Sequence, residues 1–205
     1  MKHIKKDIRQ VTKKELEFFF SNHDIPKYKA TQVYDWLWKH HQLNFTKMTN
    51  LSLIERNLLN QNFHINQINI IKETISKDGT VKFLFQIEEN NVVEGVLIPQ
   101  LKRLTACISS QSGCSLACKF CATGKLKLNR NLYASEIYDQ VFLINNYCIN
   151  KFKKPIINIV FMGMGEPLLN FNNVLKSIEH ITNKIGLGMS SKRITLSTVG
   201  ITKII

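Results

Sequence analysis

The stretch Ser109–Gly124, SSQSGCSLACKFCATG, decides how the rest of the chain is read. It spaces Cys114, Cys118 and Cys121 as C-x3-C-x2-C and sets the aromatic Phe120 just before the last of them. Thiolates are soft ligands that suit iron–sulfur clusters or zinc. A purely structural site of either kind usually takes four protein ligands. A compact set of three is therefore the pattern of a cluster with one iron left open for a substrate or cofactor. Zinc with a remote fourth ligand is the alternative.

Downstream of this loop, strand, loop and helix alternate. After Ser135, the residues Ile137, Val141, Ile144 and Cys148 recur at helical spacing. That puts Cys148 on a buried helical face, as an inert core thiol. The run IINIVFMG after Pro155 predicts a buried parallel strand. A second helix carries Val174, Leu175, Ile178, Ile181 and Ile185 and is stopped by Gly186 and Gly188. A third strand, RITLST, leads to Gly200. This alternation argues for an α/β fold, a parallel sheet or (β/α) barrel with function at the carboxyl ends of its strands. The cysteine loop, Gly163–Pro167 and Ser197–Gly200 all fall at such ends. Three strands are too few to close a barrel, so residues 103–205 read as its first part.

Upstream, Thr12 with Glu15 and Ser52 with Glu55 form two capping boxes, each opening a helix. Between them, Val33, Trp36, Leu37 and His40 share one helical face, which assigns Trp36 to a small core. Tyr34 and Trp38 fall to the side near Lys27, Lys29 and Lys39, an arrangement open to base stacking as well as to packing. Residues 1–62 thus read as a small helical module. The period then switches to two: Val81, Phe83, Phe85 and Ile87 alternate with polar neighbours after an Asp78-Gly79 hairpin turn, and VVEGVLIP follows. Residues 63–102 read as a β-meander that delivers the chain to the cysteine loop.

The 205 residues are 44% hydrophobic and 21% charged, the balance of a globular chain. No apolar run approaches the roughly 20 residues that span a bilayer. The N-terminus MKHIKKDIRQ lacks the apolar stretch of a secretory signal. Five cysteines, three of them clustered, do not make a disulfide framework, and the cytosol is the expected compartment. The formal charge of +13 suits a polyanionic partner, because lysines and arginines release counterions from phosphates. No basic amphipathic helix speaks for a membrane.

Four further positions invite chemistry. Gly163-Met164-Gly165-Glu166-Pro167 follows the second parallel strand, where glycines let backbone approach a ligand. Ser197 holds the matching place on the next strand, as a ligand to a cofactor or as a partner of local backbone. Glu94 lies in an apolar strand, which suits a paired or proton-transferring carboxylate unless the residue faces water. Cys107 lies outside the cluster spacing and by itself reads as a structural thiol.

The cysteine spacing resembles that of the radical S-adenosylmethionine superfamily. In order, VVEGVLIP, CISSQSGCSLACKFCATG, NRNL-x-x-SEI-x-x-Q, NIVFMGMGEPLLN and RITLSTVG resemble the RlmN family of dual-specificity rRNA/tRNA adenine C2-methyltransferases. The resemblance implies a 4Fe–4S cluster on Cys114, Cys118 and Cys121, with S-adenosylmethionine contacting Gly165, Glu166 and Ser197. It implies Glu94 as the proton acceptor and Cys107 as the cysteine that helps release the methylated base, and it carries disulfide chemistry with it. The implied partners are 23S rRNA, tRNA and an electron donor such as flavodoxin. A related family acting on carbon 8 of the same adenine is the near alternative, and a non-catalytic cluster- or RNA-binding fragment the distant one. The family's methyl-carrying cysteine lies in its C-terminal part, and no residue after Ser197 supplies it.

Overall fold

A computed structural model describes residues 5–89, 91–100 and 103–202. The chain divides into two compact units: residues up to Gln67 with Asn183–Gly188, and Ile68–Thr182 with the segment from Met189 onward.

The first unit holds β1 (Lys6–Asp7), α1 (Lys13–Ser21), α2 (Tyr28–Tyr34), α3 (Leu53–Asn62) and β2 (Phe63–His64), with β1 and β2 paired in parallel. Both capping boxes form. Thr12 accepts from the Glu15 amide and Ser52 from the Glu55 amide, while each glutamate reaches back to its cap. Leu16, Phe20, Val33, Leu37 and Leu59 are fully buried. The tryptophan assignment is corrected here. Trp38 is buried, whereas Trp36 is half-buried and its indole N–H donates to Asn50 Oδ1 at 2.5 Å. The cause is a π-helical turn at Asp35–Lys39 that follows α2, closed by the His40 N–H on the Asp35 carbonyl at 3.0 Å. Wider i→i+5 rings advance each residue by less than an α-helix does, so the buried stripe moves on to Trp38.

The second unit is built on one six-stranded sheet, in order β10-β9-β6-β5-β4-β3. The strands β3 (Asn69–Ile75), β4 (Val81–Glu88), β5 (Asn91–Gln100) and β6 (Arg103–Cys107) pair antiparallel as a meander. A short pair, β7 (Gln111–Ser112) and β8 (Arg130–Asn131), closes the base of the cysteine loop. Then α4 (Ala134–Phe152), β9 (Asn158–Phe161), α5 (Phe171–Thr182) and β10 (Ile194–Leu196) continue the unit, with β6, β9 and β10 parallel. The architecture is α/β, and three parallel strands leave the barrel open.

Strand alternation assigns the two faces of the sheet. Val81, Phe83, Phe85, Val93, Leu97, Ala106, Ile159 and Phe161 are buried on the helical side, where Phe83 meets Tyr147 of α4 edge-on at 5.0 Å. Gly95 is there because a Cβ would sit 2.7 Å from the Phe85 ring and 3.5 Å from Ile144. The opposite face carries a row Lys82–Val96–Cys107–Val160–Thr195 across five strands, with Leu84–Glu94 in the adjacent row. Glu94 and Cys107 therefore share the open face.

Candidate functional site

The site is assembled at the carboxyl ends of β6 and β9. Ile108–Gly113 is buried at every position, although four of its six residues are polar. Buried polar groups need partners, and the glycine loop after β9 provides them. Gly163 donates its N–H to the Ile108 carbonyl at 3.0 Å, and a Cβ there would lie 2.6 Å from that oxygen. Ser109 is the junction of three elements. Its hydroxyl donates to the Glu94 carbonyl at 2.6 Å and accepts the Met164 N–H at 2.8 Å, and Gln140 of α4 brackets its backbone from both sides. Gln111 accepts the Glu166 N–H at 2.8 Å and donates to Asn131 at 2.7 Å. It packs beneath Gly165, whose φ of +94° and lack of a Cβ leave it room. Asn170 donates to the carbonyls of Ser110 and Leu132, at 2.7 and 2.8 Å.

The carboxylate of Glu166 is buried and fully engaged. It accepts from Leu168 N at 3.0 Å, Thr198 Oγ1 at 2.6 Å and Val199 N at 3.0 Å. The glutamate assigned to cofactor contact thus turns its side chain to the loop after β10. Ser197 is exposed beside that loop.

The cysteine loop is built differently. Its far end is anchored by Arg130, which makes a bidentate pair with the buried Glu136 at 2.8 Å and reaches Glu88 at 2.9 Å. Hydrogen bonding to Glu136, offset in part by desolvation, holds the guanidinium above its ordinary pKa. Between the anchors, Cys114, Cys118 and Cys121 are half-exposed and Phe120 is 93% exposed. Gly124 keeps the loop tight, since a Cβ would approach the Cys118 carbonyl to 2.6 Å. Backbone N–H groups, that of Gly124 foremost and then that of Thr123, hold the Cys121 thiol below the usual range. Among the described residues no three histidine, cysteine or acidic side chains converge to hold an ion. The three thiols share one loop and are free, so their number and softness fit an iron–sulfur group, while their convergence requires the loop to rearrange around it.

Glu94 is half-exposed, with its carboxylate paired to Lys82 Nζ at 3.0 Å. Cys107 is buried; desolvation raises its thiol pKa, partly offset by the Met162 backbone. All five cysteines are free, so the disulfide carried by the resemblance has no counterpart here. The sequence reading attached no role to Ser109, Gln111, Gln140 or Thr198. The signal was four consecutive polar residues, Ser109–Ser112, between an apolar strand and the cysteines. No helix among the described residues is long and apolar enough to cross a membrane.

Comparison with known proteins relates the chain to one family. A family model described as the ribosomal RNA large subunit methyltransferase N-terminal domain matches residues 6–65. A probable dual-specificity RNA methyltransferase RlmN from Cytophaga hutchinsonii is 53% identical over 98% of this chain and 55% of its own length. The dual-specificity RNA methyltransferase RlmN of Buchnera aphidicola is 47% identical over 95% of this chain and 54% of its own. The crystal structure of a radical SAM methyltransferase from Sphaerobacter thermophilus superposes with a TM-score of 0.80 at 31% identity, covering 94% of this chain and 57% of that one. The chain spans little more than half the length of the curated relatives it matches. Along the residues it shares with them, the chain belongs to the RlmN family of radical S-adenosylmethionine RNA methyltransferases.

Proposed function

We propose that this chain forms the cofactor-binding half of an enzyme that methylates carbon 2 of adenine in 23S rRNA and tRNA. The observation that carries the reading is the three-thiol loop held against the Gly163–Pro167 loop by buried Ser109 and Gln111. Cys114, Cys118 and Cys121 would hold a 4Fe–4S cluster, and the backbone around Gly165 and Glu166 with the Ser197 hydroxyl would receive S-adenosylmethionine. Bound there, the cluster and cofactor would supply one-electron cleavage of the sulfonium, the chemistry adenine carbon 2 calls for because it is electrophilic and does not attack a methyl sulfonium itself. An external donor such as flavodoxin would deliver the electron, in the cytoplasm.

The protein's own contribution is position. Through Thr198 and Val199, the Glu166 carboxylate holds the strand end that presents Ser197, so its role is to orient rather than to coordinate. Glu94 stands on the open face beside the row that contains Cys107, with its backbone tied to the glycine loop through Ser109. From there a carboxylate can accept a proton from a base lying on that face, and Cys107, in the neighbouring row of the same face, matches the cysteine that helps release the methylated base in the family. Its raised pKa keeps it a neutral thiol until a base or substrate draws the proton.

Anaerobic reconstitution with iron and sulfide, followed by electron paramagnetic resonance of the reduced protein, tests this. The expected result is a cluster signal that changes on adding S-adenosylmethionine and is lost in Cys118→Ala. Normal iron and sulfide content in that variant would sink the assignment.

A further inference from the structure

On the open face, Lys72, Thr74, Lys82, Leu84 and Glu94 line a cleft of about 160 Å³. Register brings them together: Lys72 lies opposite Leu84, Thr74 opposite Lys82, and Leu84 opposite Glu94. The Lys82–Glu94 pair, at 3.0 Å and half-exposed on both sides, is screened by water and adds little to stability. Donors outnumber acceptors here. Each ammonium has three N–H groups; Lys82 gives one to Glu94, and Lys72 has no carboxylate at ion-pair distance among the described residues. Thr74 adds a hydroxyl. Two cations against one carboxylate leave a net positive cleft. It is far below the roughly 300–1,000 Å³ of small-molecule pockets, which suits a single anionic group rather than a whole ligand.

We infer that Lys72 and Lys82 bind one backbone phosphate of the RNA substrate, adjacent to Glu94. This rests on the RNA-methyltransferase reading and adds a contact to it. With the phosphate seated there, the strand is registered so that the neighbouring base lies over the face that carries Glu94 and Cys107. Lys82 bridges the two, one N–H on the carboxylate and the others on phosphate oxygens.

The test is anisotropy of a labelled single-stranded RNA oligonucleotide on the full chain over a salt series. Single strands give about 0.7 in log K per log salt for each phosphate contact, so Lys72→Ala/Lys82→Ala, which removes one such contact, is expected to flatten the slope by about 0.7. Lys72→Arg/Lys82→Arg retains it, and Lys151→Ala/Lys153→Ala, at the end of α4, leaves the Lys72–Lys82 contribution intact. Glu94→Gln, which removes the competing negative charge, tightens binding. If the wild-type chain binds RNA and the Lys72/Lys82 double variant loses no more slope than the Lys151/Lys153 one, the phosphate site is wrong while RNA stands as the partner. If the wild-type chain binds no RNA at low salt, both fall. Protection of the two lysines from acetylation by inorganic phosphate but not by RNA would mean a free-anion site and overturn the inference.

Discussion

Two adjacent segments of one motif are built in opposite ways. Ile108–Gly113 is buried throughout, and Ser109 and Gln111 are bonded to β5, β8, α4 and the glycine loop. The following residues, Cys114–Cys121, are exposed or half-exposed, and their backbone bonds are local or reach only the returning arm of the loop. The difference separates a frame from a ligand set. A segment that must hold a cofactor site in register needs its polar groups satisfied inside the protein. A segment that supplies ligands gains most of its order from what it binds, because metal ligation is itself folding free energy.

The sharpest way to break this comparison is to damage the frame. Gly165→Ala puts a Cβ 2.4 Å from Gln111 at a φ of +94°. Left-handed backbone and overpacking together are expected to cost roughly 2–5 kcal/mol, measured by urea denaturation. Ser109→Ala comes next. It leaves the Met164 amide and the Glu94 carbonyl without their partner, for a loss of about 1–3 kcal/mol. In the loop, by contrast, Cys118→Ala is expected to move the stability of the metal-free chain by less than about 0.5 kcal/mol while removing iron uptake. A loss comparable to that of Ser109→Ala would show that the loop is part of the frame.

Thiol alkylation perturbs least and sharpens most. Burial pushes Cys148 up to about 11 and raises Cys107, so at pH 8 both are protonated and shielded. The native chain is expected to label at Cys114, Cys118 and Cys121, with Cys107 and Cys148 reacting only on unfolding or as pH rises towards their raised values. Mass spectrometry after timed labelling counts the sites. Rapid labelling of Cys107 at pH 8 would contradict its burial at the end of β6.

Several elements could be read from the chain alone because their causes are local. Capping boxes at Thr12–Glu15 and Ser52–Glu55 depend on residues three apart, and both form. The alternation Val81–Phe83–Phe85–Ile87 depends on period two, and those four side chains are buried. Spacing alone singled out Cys114, Cys118 and Cys121. The burial of Trp38 in place of Trp36 was not readable, because a π-turn shifts the stripe without a sequence mark. Nor was the Lys82–Glu94 pair, which depends on how β4 and β5 align.

Residue type and spacing by themselves determined the α/β class, the succession of strands and helices along the chain and the chemistry available to the thiols, since each follows from local propensity and donor identity. The tertiary structure alone decided that Glu166 turns its carboxylate to Thr198 and Val199, that Ser109 joins three elements and that Glu94 faces Lys82. Those contacts join residues distant in sequence. Their partners are chosen by strand register and by the need to satisfy buried polar groups, neither of which is written in any short stretch of the chain.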